Sequence, residues 1–77
     1  MTIKYSGARN YDGSCAIITY KNGKEDEKAK QVIEALENEG YRVDLIGCDD
    51  TTEAYIEVYD RDEYDELKEI YMEAKRA

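Results

Sequence analysis

The sequence predicts one α+β domain spanning residues 1–77, in which a four-stranded, mainly antiparallel sheet carries two helices packed on one of its faces. Two observations indicate this fold. Short segments of alternating or continuous apolar residues predict four strands, and two longer segments have the three- and four-residue apolar spacing of amphipathic helices. Read along the chain, these elements follow the order ββαββα.

The first half of the chain contains two strands and a helix. Residues 2–6 alternate and predict a first strand, and a loop containing Gly, Asn and Asp follows through residue 13. Residues 15–20 form an almost continuous apolar and β-branched run, which is typical of a central strand. A helix is predicted over residues 24–39 by an apolar stripe comprising Ala29, Val32, Ile33 and Leu36. Gly40 can end this helix because it adopts a left-handed conformation easily.

The second half repeats this order. Residues 41–47 alternate and predict a third strand, and residues 48–52 are typical of a hairpin connection. Residues 53–59 have the clearest strand pattern of the chain. The last helix is predicted over residues 61–75 by an inner stripe comprising Tyr64, Leu67, Ile70, Tyr71 and Ala74.

A shift of 38 residues aligns the two halves, so that Ile18 falls on Ile56 and Val32 falls on Ile70. We interpret this as a repeated ββα pattern. A right-handed crossover through the first helix predicts that the second and third strands run parallel. Each helix also begins with a predicted N-cap residue that is followed three positions later by glutamate, namely Asn22 with Glu25 and Asp60 with Glu63.

The charge is strongly negative and unevenly distributed. The chain has 19 acidic and 11 basic residues, a net charge of −8. Residues 44–73 contain twelve acids and two bases, so all of the excess negative charge comes from this segment. Such a charge repels nucleic acid and anionic lipid, which excludes direct binding to either. Without an apolar run of about 20 residues or a signal-peptide pattern, the chain is expected to be cytoplasmic.

The residue types needed for enzymatic chemistry are missing from the sequence. The chain has no His, its glycines are scattered singly, and the acidic run at residues 49–53 lacks the spacing of an EF-hand loop. Cys15 and Cys48 form no C-x-x-C pair and are expected at opposite ends of the sheet as two reduced thiols. We therefore expect a non-enzymatic protein with no catalytic residues, no metal and no cofactor.

The candidate functional residues are acids and tyrosines. Four acids recur on one face of the last helix over roughly 16.5 Å, and four more occupy the hairpin and the fourth strand, so together they could attract a basic groove. Two tyrosines of the fourth strand are expected on the sheet face opposite the helices, where they could anchor a partner. The helix acids are Asp62, Glu66, Glu69 and Glu73, the others are Asp49, Asp50, Glu53 and Glu57, and the tyrosines are Tyr55 and Tyr59.

In its size, its acidity and the dense Asp and Glu of residues 49–73, the chain resembles small inhibitors encoded by phages and mobile elements, such as anti-CRISPR proteins and other nucleic-acid mimics. The resemblance is one of composition over the C-terminal half. It implies an inhibitor that occupies the basic nucleic-acid-binding groove of a CRISPR-Cas effector or another defence nuclease. A phage-encoded inhibitor of this kind would act in the cytoplasm of its bacterial host.

Two other interpretations stay open at the level of sequence. The chain could be a structural module that self-associates as a homodimer, through the sheet face that carries Tyr55 and Tyr59 or through an exposed edge strand. It could also be an idealised, designed fold, as the matched helix caps and the Glu- and Lys-rich helices indicate. The two cysteines and the irregular loop before residue 14 argue against a designed origin.

Overall fold

A computed structural model of the chain describes residues 1–7 and 14–77. Most of the loop predicted through residue 13 therefore lies outside the described residues. The observed elements confirm the predicted order ββαββα. Their bounds are β1 Thr2–Ser6, β2 Ser14–Lys21, α1 Asp26–Asn38, β3 Val43–Gly47, β4 Thr51–Val58 and α2 Arg61–Arg76.

The four strands form one sheet in the order β1-β2-β4-β3, and every neighbouring pair is antiparallel. β2 and β3 run in the same direction, as the crossover predicts, but β4 lies between them. The two central strands are also the longest, and each contributes fully buried residues to the core, such as Ala16 from β2 and Ile56 from β4. Burial of apolar side chains therefore fixes β2 and β4 at the centre of the sheet.

Both helices pack on the same face of the sheet, as predicted. Their apolar stripes meet the strand residues that point toward them, because strand side chains alternate between the two faces and helix side chains recur every 3.6 residues. Among the described residues, neither helix covers the opposite face, which we call the open face. The core on the helix side comprises Ala16, Ile18, Val32, Leu36, Ala54, Ile56, Val58, Tyr64, Leu67 and Tyr71.

Gly40 ends α1 as the sequence predicts. Its φ of 98° lies in the left-handed region, which residues with a Cβ rarely adopt. The N–H of Gly40 donates to the carbonyl of Glu37 at 3.0 Å, and the N–H of Tyr41 donates to the carbonyl of Leu36 at 3.1 Å. These two bonds form a Schellman motif. Because the motif uses Tyr41, β3 begins at Val43, two residues later than expected.

The predicted N-cap of α1 is wrong. Glu25 takes the N-cap position without a side-chain capping bond, and Asn22 lies outside the helix. The Asn22 side chain instead donates to the carbonyl of Cys48 at 3.1 Å and accepts a bond from the Thr52 hydroxyl at 2.6 Å. Asn22 therefore ties the end of β2 to the β3–β4 hairpin, because long-range bonds replace the local capping bond that the sequence pattern favours.

The predicted N-cap of α2 is confirmed. The Asp60 carboxylate accepts a bond from the N–H of Glu63 at 3.0 Å. The Glu63 carboxylate in turn accepts a bond from the N–H of Tyr59. β4 ends at Val58, so Tyr59 lies beyond the strand to which the sequence pattern assigned it. These bonds fix the direction in which α2 leaves the sheet.

Candidate protein-binding surfaces

Four acids of α2 lie on its outward side and are all exposed. Each residue turns an α-helix by about 100°, so the four carboxylates fall within an arc of about 60°. This arc lies opposite Leu67 and Tyr71, which are buried against the sheet. We call this surface the α2 acidic ridge, and it consists of Asp62, Glu66, Glu69 and Glu73.

The acids of the ridge make no direct ion pair within the described residues. The salt bridges found in residues 1–7 and 14–77 join the Met1 amino group to Glu25, Arg42 to Asp44, and Arg61 to Asp65. The ridge therefore keeps its negative charges available to a partner. An exposed carboxylate without an ion pair has no such pair to break when a partner binds, so the remaining cost is the loss of its hydration.

Cations flank the ridge on the side that faces β1. The Arg61 guanidinium lies 5.1 Å from the ring centre of Tyr5 and 5.3 Å from that of Tyr64, and the Lys75 ammonium lies 5.6 Å from the ring centre of Tyr71. Both cations are thus close enough to aromatic faces for cation–π attraction. These contacts hold Arg61 and Lys75 toward the sheet and away from the crest of the ridge.

The other predicted acids do not join the ridge. Glu53 and Glu57 alternate along β4 with residues buried under the helices, so their side chains lie on the open face. Asp49 and Asp50 are exposed in the loop between β3 and β4. The single acidic field expected from the sequence is therefore divided between two faces and a loop. The cause is the two-residue period of β4, which directs its acids away from α2.

The open face is mixed in character. Across the four strands, Lys4, Ile17, Tyr55 and Asp44 lie side by side in one row. Ile17 is only 7% exposed although no helix covers it. Lys4 and Lys21 lie on this face with its three carboxylates, Asp44, Glu53 and Glu57, and Arg42 forms a salt bridge with Asp44, so the net charge of the face is small. This surface is therefore a weaker candidate for a purely electrostatic contact than the ridge.

Tyr55 and Tyr59 differ in their surroundings. The Tyr55 hydroxyl donates to the Glu53 carboxylate at 3.0 Å, and this hydrogen bond, with some desolvation, raises the pKa of Tyr55. Tyr59 is 87% exposed beyond the end of β4, where it lines a shallow depression with Glu57 and Glu63. The two tyrosines therefore do not form the single pair on one strand that the sequence pattern predicts.

Tyr41 marks a group of acids that the sequence pattern does not reveal. Burial is the largest cause of the raised pKa of Tyr41, and the nearby charges of Glu63, Glu66 and Glu39 raise this pKa further. These acids lie around Tyr41, where the end of α1 packs beside the first half of α2, so Glu39 and Glu63 add negative charge beside the ridge. Gly40 and Asp60 predict both helix ends, but only the packing of the helices brings those ends together.

Neither a three-ligand metal cluster nor a membrane-spanning helix is found in the described residues. In residues 1–7 and 14–77, no three Cys, Asp or Glu side chains are grouped so that they could hold a metal ion. No helix in this part of the chain is both long enough and apolar enough to cross a membrane. Cys15 and Cys48 are free thiols, at the start of β2 and just after the end of β3.

No protein-family model, curated protein or solved structure matches the chain. The surfaces of the molecule and its composition therefore support any functional proposal. Among these surfaces, the α2 acidic ridge places four exposed acids on one side of a helix, and none of them forms an ion pair within the described residues.

Proposed function

We propose that this protein is a non-enzymatic inhibitor whose α2 acidic ridge occupies the basic nucleic-acid-binding groove of another protein. The observation that carries the proposal is the row of four exposed carboxylates, none of which is in an ion pair within the described residues. Such a row attracts lysine and arginine side chains and accelerates the encounter with them. A groove that normally holds a phosphate backbone presents such side chains in a line.

The ridge is sparser than a nucleic-acid strand. Its charges recur about every 5.5 Å, compared with one phosphate per about 3.4 Å along a DNA strand. Glu39 and Glu63 add charge beside Glu66, around Tyr41. The ridge therefore competes for cations of the groove without copying the phosphate spacing, and the contact depends on the salt concentration.

An apolar contact is available beside the acids. Met72 is exposed next to Glu69 and Glu73, and these three residues line one shallow depression on α2 together with Asp65, Lys68 and Arg76. A flexible thioether side chain adapts to irregular partner surfaces. We propose that Met72 supplies the apolar part of the contact, while Tyr55, Glu53 and Glu57 lie on the opposite face and do not contribute to it.

The proposed target is a CRISPR-Cas effector or another defence nuclease, because the chain resembles inhibitors of such proteins in composition. An inhibitor of this type prevents nucleic acid from entering the groove and needs no catalytic residue. The chain would act in the cytoplasm of a bacterial host, where these effectors operate. It would bind neither nucleic acid nor membrane itself, because its net charge is −8.

The test measures whether the purified protein prevents a panel of CRISPR-Cas effectors and other defence nucleases from binding nucleic acid. The ridge variant neutralises four acids, as Asp62→Asn, Glu66→Gln, Glu69→Gln and Glu73→Gln. The control variant neutralises four acids elsewhere, as Asp49→Asn, Asp50→Asn, Glu53→Gln and Glu57→Gln, so both variants carry the same net charge.

We expect the ridge variant to lose about 100-fold in affinity and the control variant to lose less than about tenfold. Equal losses in both variants would show that only net charge matters and would refute a contact at the ridge. The absence of inhibition by the wild-type protein across the panel would reject the proposed target class.

A further inference from the structure

The outer edge of β3 is an exposed strand edge with apolar side chains on both of its faces. Leu45 is 54% exposed and Ile46 is 52% exposed, although both lie in the middle of a paired strand. No strand pairs with this edge in the described part of the chain. The opposite edge strand, β1, has an exposed lysine, Lys4, at its centre, which is a common protection against edge pairing. β3 has no lysine and carries the apolar Leu45 at its centre, beside one exposed acid, Asp44.

The hydrogen-bonding groups on the free edge can be assigned from the hairpin. The N–H of Cys48 donates to the carbonyl of Thr51 at 2.8 Å, so these two residues form a hydrogen-bonded pair. Hydrogen-bonded and non-hydrogen-bonded pairs alternate along an antiparallel ladder, and the register of β3 with β4 is continuous. The backbone groups of Val43, Leu45 and Gly47 therefore point away from β4, toward the free edge.

A second contact surface lies beside this edge on the helix side. Leu45 and Ile33 of α1 line one groove, and Lys30, Glu34 and Glu37 lie at its rim. Lys30 is three residues before Ile33, and Glu37 is four residues after it. A two-fold axis near Ile33 therefore brings Lys30 of one copy toward Glu37 of the other, which gives two contacts of opposite charge, while Asp26 and Glu34 of the same groove leave it net negative.

We propose that a second copy of this chain pairs antiparallel with the free edge of β3, with Leu45 opposite Leu45 of the second copy. In this register Val43 faces Gly47 of the other copy at both ends, and the outward backbone groups make about six hydrogen bonds. The helix-covered faces of the two sheets point to the same side in this arrangement. The two sheets therefore join into one continuous sheet with all four helices on one side. At the axis, Leu45 and Ile33 of one copy then pack against Leu45 and Ile33 of the other copy.

The pairing is weak and strengthens with salt. The contact consists of one strand of five residues from each copy and the rim of α1, and we expect a contact of this size to belong to the weak class of interfaces. Each copy carries a net charge of −8, so the copies repel one another until salt screens the charge. This salt dependence is opposite to that of the proposed contact at the ridge, so the two interactions are distinguishable in one titration.

The oligomeric state can be measured by sedimentation equilibrium over a range of concentrations. We expect a reversible monomer–dimer equilibrium, which Leu45→Lys weakens at least about tenfold and Met72→Lys leaves unchanged. Met72 is the matched control because it is also exposed and apolar but lies on α2. A wild-type protein that stays monomeric up to about 1 mM, or a dimer that Leu45→Lys does not weaken, overturns the proposal.

The register has its own test, in a background in which Cys15 and Cys48 are replaced by Ser. In the proposed register, the Cα atoms of the two copies of residue 45 lie about 5.5 Å apart, which is within disulfide range. The Cα atoms of the two copies of residue 43 are offset by four positions, which is roughly 13 Å along the strand. We expect Leu45→Cys to form a covalent dimer on mild oxidation at least about tenfold faster than Val43→Cys. Equal rates, or a faster reaction of Val43→Cys, contradict the register.

Discussion

Ile17 and Tyr55 pair directly with each other across β2 and β4, and they are also the two residues that the 38-residue shift superposes. The same shift relates the neighbouring cross-strand pairs of β2 and β4. The pair Ala16–Ile56 corresponds to the pair Ala54–Ile18. A pseudo-two-fold axis between Ile17 and Tyr55 relates the two ββα units. The symmetry stops at the outer strands, because the register of β1 with β2 differs from that of β3 with β4 by two residues.

The pseudo-symmetry predicts that equivalent core positions contribute similarly to stability. Ile18 and Ile56 are both buried on the helix side of the sheet and correspond under the 38-residue shift. We expect Ile18→Ala and Ile56→Ala each to lower the free energy of unfolding by about 2–5 kcal/mol, because each leaves a cavity. Urea denaturation measures both changes, with the exposed Ile46→Ala as control. A cost below about 1 kcal/mol for either core variant contradicts this symmetry.

The sequence predicts the local features of this fold well. Alternation along β4 and the apolar stripe of α2 identify both elements, and Gly40 and Asp60 identify two helix boundaries correctly. Each of these signals depends only on neighbouring residues. Local pattern therefore fixes the order and the class of the fold.

The features that the sequence misses depend on residues far apart in the chain. Asn22 has the local pattern of an N-cap, but it bonds to the β3–β4 hairpin, which its neighbours in sequence do not specify. Leu45 points toward the helix side and still stays exposed, because the position of α1 is set by packing elsewhere. The acids of α2 and β4 form one acidic segment in sequence, whereas the alternation of β4 directs Glu53 and Glu57 to the open face.

The cap of α2 makes a measurable contribution to stability. The Asp60 carboxylate accepts the N–H of Glu63, one of the groups that the first turn of a helix otherwise leaves unbonded. We expect Asp60→Ala to lower the free energy of unfolding by about 1 kcal/mol, and Asp60→Asn to lower it less, since Asn also caps helices. Thermal or urea unfolding measures the difference. Equal stability of wild type and Asp60→Ala would show that this bond contributes nothing.

Asn22 stabilises the hairpin and not the start of α1. We expect Asn22→Ala to increase hydrogen exchange at the amide of Cys48, because the substitution removes the bonds from the Asn22 side chain to Cys48 and Thr52. The first amides bonded within α1 should keep their protection, since Glu25 holds the N-cap position. Exchange measured by NMR compares the two regions. Faster exchange confined to α1 contradicts this role.

Glu25 links stability to acid pH. A hydrogen bond from the Met1 amino group at 2.6 Å, followed by one from the N–H of Lys21, lowers the pKa of Glu25 below its ordinary value of 4.5. The folded state therefore releases this proton more readily than the unfolded state. Its stabilising effect is complete above the ordinary pKa and is lost as the pH falls through the lowered pKa.

Glu25→Gln should therefore be less stable than the wild type near pH 7, with the difference shrinking as the pH falls to about 3. Urea unfolding at several pH values measures this difference, and Glu27→Gln serves as an exposed control on the same helix. A difference that is constant with pH would contradict an ionic role for Glu25.

Tyr55 reports the structure of the open face. Because its hydroxyl donates to Glu53, the pKa of Tyr55 lies above its ordinary value of 10.0. The folded state holds this proton more tightly, so the stabilising effect is present below the ordinary pKa and is lost as the pH rises through the raised pKa. We expect Glu53→Ala to shift the titration of Tyr55 back toward its ordinary range. Carbon-13 NMR of labelled tyrosine follows this group, and an unchanged titration argues against the hydrogen bond.

The proposed role of the α2 acidic ridge is tested by the salt dependence of binding to a nuclease that responds to the protein in the inhibition panel. The measurement compares the wild type with the ridge variant, from about 50 mM to about 500 mM salt. We expect the wild-type affinity to fall steeply with salt and the affinity of the ridge variant to be lower and nearly flat. Equal slopes for the two proteins, or a wild-type affinity that does not change with salt, would contradict recognition through Asp62, Glu66, Glu69 and Glu73.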